Sequence, residues 1–523
     1  MTFTSWLIFF IIIQVIHFLG TWRLYQKAGR KSWEAAVPVY NAIVLTKIMN
    51  RPWWWVILLF IPIINLLMFP AIWVETARSF GKEKTGELFV VVLTLGFYLY
   101  VLNYDPKTKY NADRQLKPYT RAGEWTTAIA FAVVAASIIH IYFIRPYNIP
   151  TSSLEKTLLV GDFLFVSKMH YGPLVPQTPL SVPMFHDTVR IPFTKLKFKS
   201  YISKPQIPGL RLPGFQKVKR NDIVVFYWPT DTVRFFRDRS GIHVDKPVDK
   251  KSNYVKRCVA VAGDSLEIKN GDVYINGEKQ AYPVRAKLQY YYEVEQVPGY
   301  TGLQNFANKN NITEYFVTKD KKIFMNLTDE LAEELRQKNQ IKKVEKLLDT
   351  SKTYKSNIFP NNPNYRWTID NFGPVYVPKK GATVAINLET LPFYQRVIEE
   401  YEDKNNTIEV AGDEILLNGQ VIDSYTFRQD YYWMMGDNRH NSEDSRYWGY
   451  VPYDHIVGKP VLIWWSVERF NPNNPKSFFQ RIRWNRMFTT VKGEGEPTSY
   501  LIPVIIVLVL IMGYSSYKKR KNQ

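Results

Sequence analysis

Hydrophobic positions in this chain gather in long runs near its two ends and thin into short alternating stretches between them. The runs occupy residues 6–20, 53–73, 88–102, 127–144 and 500–514. A membrane-spanning helix needs roughly 20 largely apolar residues. Residues 53–73 and 127–144 reach that length, and the other three do so with their flanks. No basic segment precedes the first run and no small-x-small site follows it, so it reads as a retained helix rather than a cleaved leader.

The charges between the runs predict a topology. Arg23, Lys27, Arg30 and Lys31 follow the first run, and Lys107, Lys109, Arg114, Lys117 and Arg121 precede the fourth. Lys518, Lys519, Arg520 and Lys521 close the chain. Placing all three groups in the cytoplasm predicts five crossings, an outer N-terminus and an extracytoplasmic segment over residues 145–499.

From Val160 the texture changes to short strands. Residues 222–228 are β-rich and bounded by Asn221 and Pro229. Residues 265–269 and 272–275 flank Asn270-Gly271, a strong hairpin signal. Residues 266–277 echo 408–419, which reads as two ordinary hairpins with similar turn chemistry. Between them, residues 329–338 predict a helix capped by Thr328 and residues 389–402 another. This intervening stretch reads as a second lobe outside the chemistry.

With 523 residues, more than one structural unit is expected. The single Cys258 excludes an internal disulfide and a Cys-rich metal site. A net charge of +21 invites a nucleic-acid reading, but no nucleic-acid motif is present. The basic residues flank apolar runs, as topology signals and contacts for anionic lipid do.

Two stretches carry candidate chemistry. Ser153 lies in a Pro-Thr-Ser-Ser turn just after the fourth run, and Lys256 lies in the β-like Tyr254-Val-Lys-Arg257. Taken alone, the serine pair reads equally as a cap, and the lysine as a surface side chain with its head in water. Together they have a use: a desolvated lysine loses its proton near neutral pH and can activate a serine. Strand alternation turns Lys256 away from Val255 and towards the face of Tyr254. Lys156 and Lys168 are rival bases nearer in sequence. A third stretch, residues 434–449, is dense in turn formers and hydrogen-bonding side chains. It lacks the glycine and final Glu spacing of a Ca²⁺ loop. It reads as a polar scaffold in which Asp444 pairs with Arg446 and Ser442 reaches towards the base. Among the histidines, His440 alone lies in a dense polar motif and is the rival for a His-dependent triad. No G-x-S-x-G, H-E-x-x-H or phosphate-loop motif occurs.

These stretches resemble bacterial type I signal peptidase, the leader peptidases built on a serine/lysine dyad, in an enlarged form with extra transmembrane segments. Four blocks follow the family's order: residues 149–172, 219–229, 254–264 and 436–449. They cover a minority of the chain. The resemblance implies Ser153 as nucleophile and Lys256 as general base, with the Thr151 hydroxyl and the Ser153 N–H forming the oxyanion hole. It implies Ser442 orienting the lysine, with Asp444 and Arg446 as a supporting ion pair. It implies Ile149, Leu154, Val225 and Val255, with Tyr254 beside them, as walls of shallow substrate pockets. No metal or other cofactor is implied. Thr151 stands where the family often has Ser, Ala262 where it usually has Pro, and His440 where it usually has Asp.

The expected architecture is a multi-pass membrane protein, with α-helical transmembrane segments and a mainly antiparallel β extracytoplasmic catalytic domain carrying an inserted α+β lobe. The expected divisions are 1–124, an N-terminal membrane region with about three transmembrane helices; 125–145, an anchor; 146–278 and 407–498, the two parts of the catalytic domain; 279–406, the inserted lobe; and 499–523, a C-terminal helix with a basic cytoplasmic tail. The expected activity is removal of signal peptides from exported preproteins at a small-x-small site, from the periplasmic side of a bacterial inner membrane. Expected partners are those preproteins, membrane lipid and, as a further candidate, the secretion machinery; nucleic acid is not one. The alternatives are a dedicated maturase for a narrow set of surface proteins and an inactive signal-peptide-binding protein. Residues 478–488 carry Phe478, Phe479, Arg481, Arg483, Trp484, Arg486 and Phe488, either resting on lipid headgroups or packing against the core.

Overall fold

A computed structural model describes residues 3–118, 120–194, 196–233, 241–470, 475–493 and 495–521. The chain forms two compact units. One comprises Met1–Phe143, Leu174–Leu212 and Thr232–Lys251; the other comprises Ile144–Pro173, Pro213–Asp231 and Ser252–Gln523.

The first unit is mainly helical: α1 (Phe3–Lys27), α2 (Tyr40–Ile48), α3 (Trp55–Leu59), α4 (Asn65–Ser79), α5 (Thr85–Leu93), α6 (Tyr98–Tyr104) and α7 (Arg121–Ile138). Among the described residues, three helical stretches are long and apolar enough to cross a membrane: Thr4–Lys27, Arg121–Phe143 and Leu501–Arg520. The apolar run at 53–73 is not one helix. It divides into α3 and α4 around Pro62 and Ile63, whose positive φ of 72° ends the first piece. The run at 88–102 bends by 112° between α5 and α6. There Leu95 and Gly96 take positive φ, and a Cβ on Gly96 would sit 2.7 Å from the Trp73 ring, so only glycine fits the corner. Leu24, Tyr25, Val44, Met49, Ile72 and Leu102 form this unit's apolar core. Beside it Glu75 receives Arg51 at 2.7 Å, Arg78 at 2.8 Å and Arg114 at 2.6 Å.

The second unit is built on an antiparallel sheet of β1 (Ile144–Asn148), β2 (Asp162–Ser167), β3 (Ile223–Tyr227), β4 (Asn253–Ala260), β5 (Tyr431–Met435), β6 (Val451–Pro452), β7 (Ile456–Ser466) and β8 (Thr489–Thr490). The spatial order is β1-β2-β7-β3-β4-β5-β6, with β8 beside β7. β3 is buried at every position, which explains its unbroken apolar sequence. Its register with β4 sets Val224 opposite Lys256, Val225 opposite Val255 and Phe226 opposite Tyr254. Opposed residues share a face, so Lys256 and Tyr254 lie on one side and Val225 and Val255 on the other.

Three Asn-Gly pairs close tight hairpins, at 270–271, 276–277 and 418–419. All six residues have positive φ, the conformation that two-residue turns of this hand require. The sequence echo has a structural counterpart. Leu266 pairs with Ile275 and Ile408 with Leu417, each within a meander continued through Asn-Gly.

The stretch between the two meanders holds a compact lobe with its own core. Its sheet runs Tyr315–Val317, Ile323–Leu327, Tyr290–Gln296, Ile341–Lys346, with helices Gly302–Lys309 and Asp329–Arg336. Thr328 caps the second helix by accepting the Leu331 N–H. From Phe372 the chain returns to pair with Ser265–Lys269. The helical stretch that follows is α-helical over Leu391–Arg396 and a π turn over Val397–Glu402, and its Leu391, Tyr394 and Ile398 share one core with Val259, Leu266 and Trp433.

Candidate active site

Lys256 is 3 % exposed. Its β4 neighbours and the Tyr254 ring, 5.8 Å from its Nζ, shield it from water. Among the described residues no carboxylate pairs with it at contact distance. Burial therefore pushes its amine from the ordinary 10.5 down to about 8, against the opposing pull of Asp444 and Glu443.

Ser153 lies on the loop between β1 and β2 and is buried. The loop is stitched at its base by Ile149 N–H to Asp162 O (2.9 Å) and Gly161 N–H to Ile149 O (3.0 Å). Ile149 and Leu154 are buried beneath it, while Thr151 is half-buried. Val225 is buried and Val255 half-buried on their shared face.

The loop after β5 meets the serine loop directly. The Asn438 N–H donates to Ser153 O (3.1 Å), and Asn438 Nδ2 donates to Ser152 O (3.2 Å). Gly436 permits this approach: a Cβ there would lie 2.5 Å from Ser153 O and 2.2 Å from Ser442 Oγ. Asp437 joins the pieces. It accepts both arms of Arg257, next to Lys256, at 2.7 and 2.6 Å, and the Thr157 hydroxyl at 2.6 Å. Asp444 caps the short helix Ser445–Trp448, accepts Gly436 N–H at 3.0 Å and takes Arg446 Nε and Nη2 at 2.9 Å each. Burial alone would raise both carboxyls, but Arg257 and Arg446 respectively outweigh it and hold them below the usual range.

Ser153, Ser442 and Asp444 thus meet around Gly436, with Arg446 held on Asp444 and Lys256 on the strand that pairs with β5 just before this glycine. Ser442 does not reach the lysine as its sequence context predicts. Its hydroxyl is buried against Gly436 without a hydrogen-bond partner among the described residues. Ser442 also borders an open pocket of about 600 Å³, with Thr230, Arg396, Glu443 and Trp448 on its walls.

The rival bases are engaged elsewhere. Lys156 Nζ donates to the carbonyls of Asn310 (2.6 Å) and Asn311 (2.8 Å). Lys168 follows β2 and is buried there. His440 Nδ1 accepts the Tyr291 N–H at 3.0 Å, so its Nε2 donates to Asp370 at 2.9 Å, and neither nitrogen faces the serine. In the stretch 478–488 Phe478, Phe479 and Trp484 are exposed, whereas Arg486 bonds the buried Asp162 at 2.6 Å. Sequence reasoning missed Asp437, Asn438 and Gly436 as organisers. A glycine before consecutive Asp and Asn was the available sign of a tight approach.

The family model described as "Signal peptidase, peptidase S26" matches residues 122–326 and 376–465, more than half of the chain. A model described as a family of unknown function matches residues 33–113. The chain is 26% identical over 359 residues to a signal peptidase I of Buchnera aphidicola, covering 68% of this chain and 77% of that one. It is 24% identical over 387 residues to a signal peptidase I of Helicobacter pylori, covering 72% and 93%. With a signal peptidase I of Haemophilus influenzae the identity is 22% over 388 residues, covering 72% and 78%.

Proposed function

From the premise that this chain belongs to the signal peptidase family, peptidase S26, and is a signal-peptide-removing serine peptidase with apolar helices suited to a membrane, we propose that Ser153 is its nucleophile and Lys256 its general base. One observation carries this: a lysine buried without an ion pair among the described residues, its amine lowered to about 8, on β4, whose partner strand β5 leads into the loop that bonds the Ser153 carbonyl.

The neutral amine takes the Ser153 proton as Oγ attacks the carbonyl at the cleavage point, then gives it to the leaving amine. The Thr151 hydroxyl and the Ser153 N–H stabilise the oxyanion, a contribution of roughly 2.7–4 kcal/mol for each donor in comparable sites. Water then cleaves the acyl-enzyme. The Asp444–Arg446 pair keeps the loop that carries Ser442 rigid. Ile149, Leu154, Val225 and Val255, with Tyr254 alongside, form shallow walls that suit small side chains before the cleaved bond. Substrates are exported preproteins, met at the outer face of a bacterial inner membrane. Ser153 follows the apolar helix ending at Phe143 by a short tether, so cleavage occurs where the substrate leaves the bilayer. Lipid holds the enzyme there, and the secretion machinery delivers to it. The compact lobe built on residues 290–346 supplies none of the reacting groups.

The test is cleavage of a preprotein with an Ala-x-Ala site by the detergent-solubilised chain, beside Ser153→Ala and Lys256→Ala. Cleavage after the second Ala that both folded variants lose is the expected result. Undiminished cleavage by Ser153→Ala would remove the assignment.

A further inference from the structure

We propose that Asn326, on the inserted lobe's sheet, and Glu314, just before its strand Tyr315–Val317, are positioning residues that aim the oxyanion donor of the nucleophile loop. This rests on Ser153 being the nucleophile.

Three bonds run from the lobe to that loop in series. Asn326, 2 % exposed, donates through Nδ2 to Asn438 Oδ1 at 2.7 Å. This bond fixes which end of the Asn438 amide faces the loop, so its NH₂ points to Ser152 O at 3.2 Å. The Ser152 carbonyl and the Ser153 N–H belong to one trans peptide plane and point in opposite directions. Pinning the carbonyl therefore aims the N–H. The next plane is pinned too, because Ser153 O accepts the Asn438 N–H. Both sides of the peptide that would present the oxyanion donor are thus held by Asn438, and Asn438 is held by the lobe.

Glu314 braces the arrangement from a second direction. Its Oε2 accepts Asn326 Nδ2 and the Tyr291 hydroxyl, each at 2.8 Å. Its Oε1 accepts the Ser152 hydroxyl at 3.2 Å and Asn441 Nδ2. Asn441 in turn donates to Ser152 Oγ at 2.9 Å. Main-chain bonds set the lobe's register against the loop: Gln289 N–H to Asp437 O and Arg439 N–H to Gln289 O, both 2.9 Å. A lobe that merely decorated the enzyme would have no reason to spend a carboxylate on Ser152 and a buried amide on Asn438. Fixed donors matter because reorienting them during reaction would cost part of the oxyanion stabilisation.

The experiment uses the full chain in detergent and measures kcat, KM and thermal midpoint for Asn326→Ala, Glu314→Ala and the near-isosteric Glu314→Gln, with Ser153→Ala as reference. Expected are a fall in kcat of about 10–100-fold for the alanine variants, comparable to the loss of part of one oxyanion donor, and KM within about threefold. Glu314→Gln should recover only part of the rate, since its amide oxygen still accepts from Ser152 while its NH₂ faces the donor Asn326 Nδ2. In an Asn438→Ala background, Asn326→Ala should cost less than about twofold more, because the chain of bonds is already cut. Wild-type kcat in both alanine variants, with Ser153→Ala inactive, overturns the positioning role and leaves the nucleophile standing. Full additivity with Asn438→Ala, or kcat falling only in step with the thermal midpoint, overturns it equally. An active Ser153→Ala would instead bring down the catalytic reading beneath it.

Discussion

Glu75 in the helical unit and Lys256 in the β-sheet unit are both buried ionisable groups, treated in opposite ways. Glu75 is met by Arg51, Arg78 and Arg114, all within 2.8 Å. Lys256 has an aromatic face beside it and carboxylates only at a distance. Burying a charge costs several kcal/mol unless a well-placed partner offsets it. In the first case the partners offset that cost and the charge stays. In the second the cost is left standing, and it emerges as an amine ready to lose its proton. The same physics gives a structural clasp in one region and a reagent in the other. The surrounding pairs, Arg257–Asp437 and Arg446–Asp444, show that the sheet region can pair its charges fully; Lys256 is left out of that pairing.

The comparison breaks first if the reagent is not Lys256. Ser153→Ala and Lys256→Ala should each lower preprotein cleavage by about 10³-fold or more, as removal of one member of a catalytic unit does, with circular dichroism confirming the fold. The clasp should behave otherwise. Glu75→Ala leaves the buried Arg78 and Arg114 and the half-buried Arg51 without their carboxylate and should lower stability by about 3–5 kcal/mol, read as a drop in thermal midpoint, with kcat within about twofold of wild type. Gly436→Ala sharpens the account of the site. Its new methyl must displace Ser153 O or Ser442 Oγ, an overpacking worth about 1–3 kcal/mol, and kcat should fall further than stability does. The smallest effect belongs to His440→Ala. It removes a link between Tyr291 and Asp370, and the position of the pH–rate limb should not move.

Local rules make much of this molecule legible in its sequence. Asn270-Gly271 announces its hairpin because those two residues tolerate positive φ, and Thr328 announces its helix because its hydroxyl caps Leu331. The blocks around Ser153, Lys256 and Asp444 stand out by residue type. What local rules miss depends on packing between distant segments. The apolar run at 53–73 carries the composition of a spanning helix, yet Pro62 and the positive φ of Ile63 divide it. The chain from Phe372 onward reads as part of the insert but buries Tyr394 and Ile398 beside Trp433. Glu314 has no sequence signal, because its partner Ser152 is 162 residues away. The depressed amine of Lys256 is likewise a property of burial, which β4 alone cannot disclose.

The most direct measurement is the pH dependence of kcat/KM for preprotein cleavage, in wild type and in His440→Ala. A base whose amine is lowered to about 8 by burial is mostly protonated below that pH and mostly free above it. The account predicts a rate rising about tenfold per pH unit below 8, levelling above it, and unchanged in position by His440→Ala. A limb near pH 6.5 that disappears with His440→Ala would contradict it, transferring the base role from the buried lysine to a histidine.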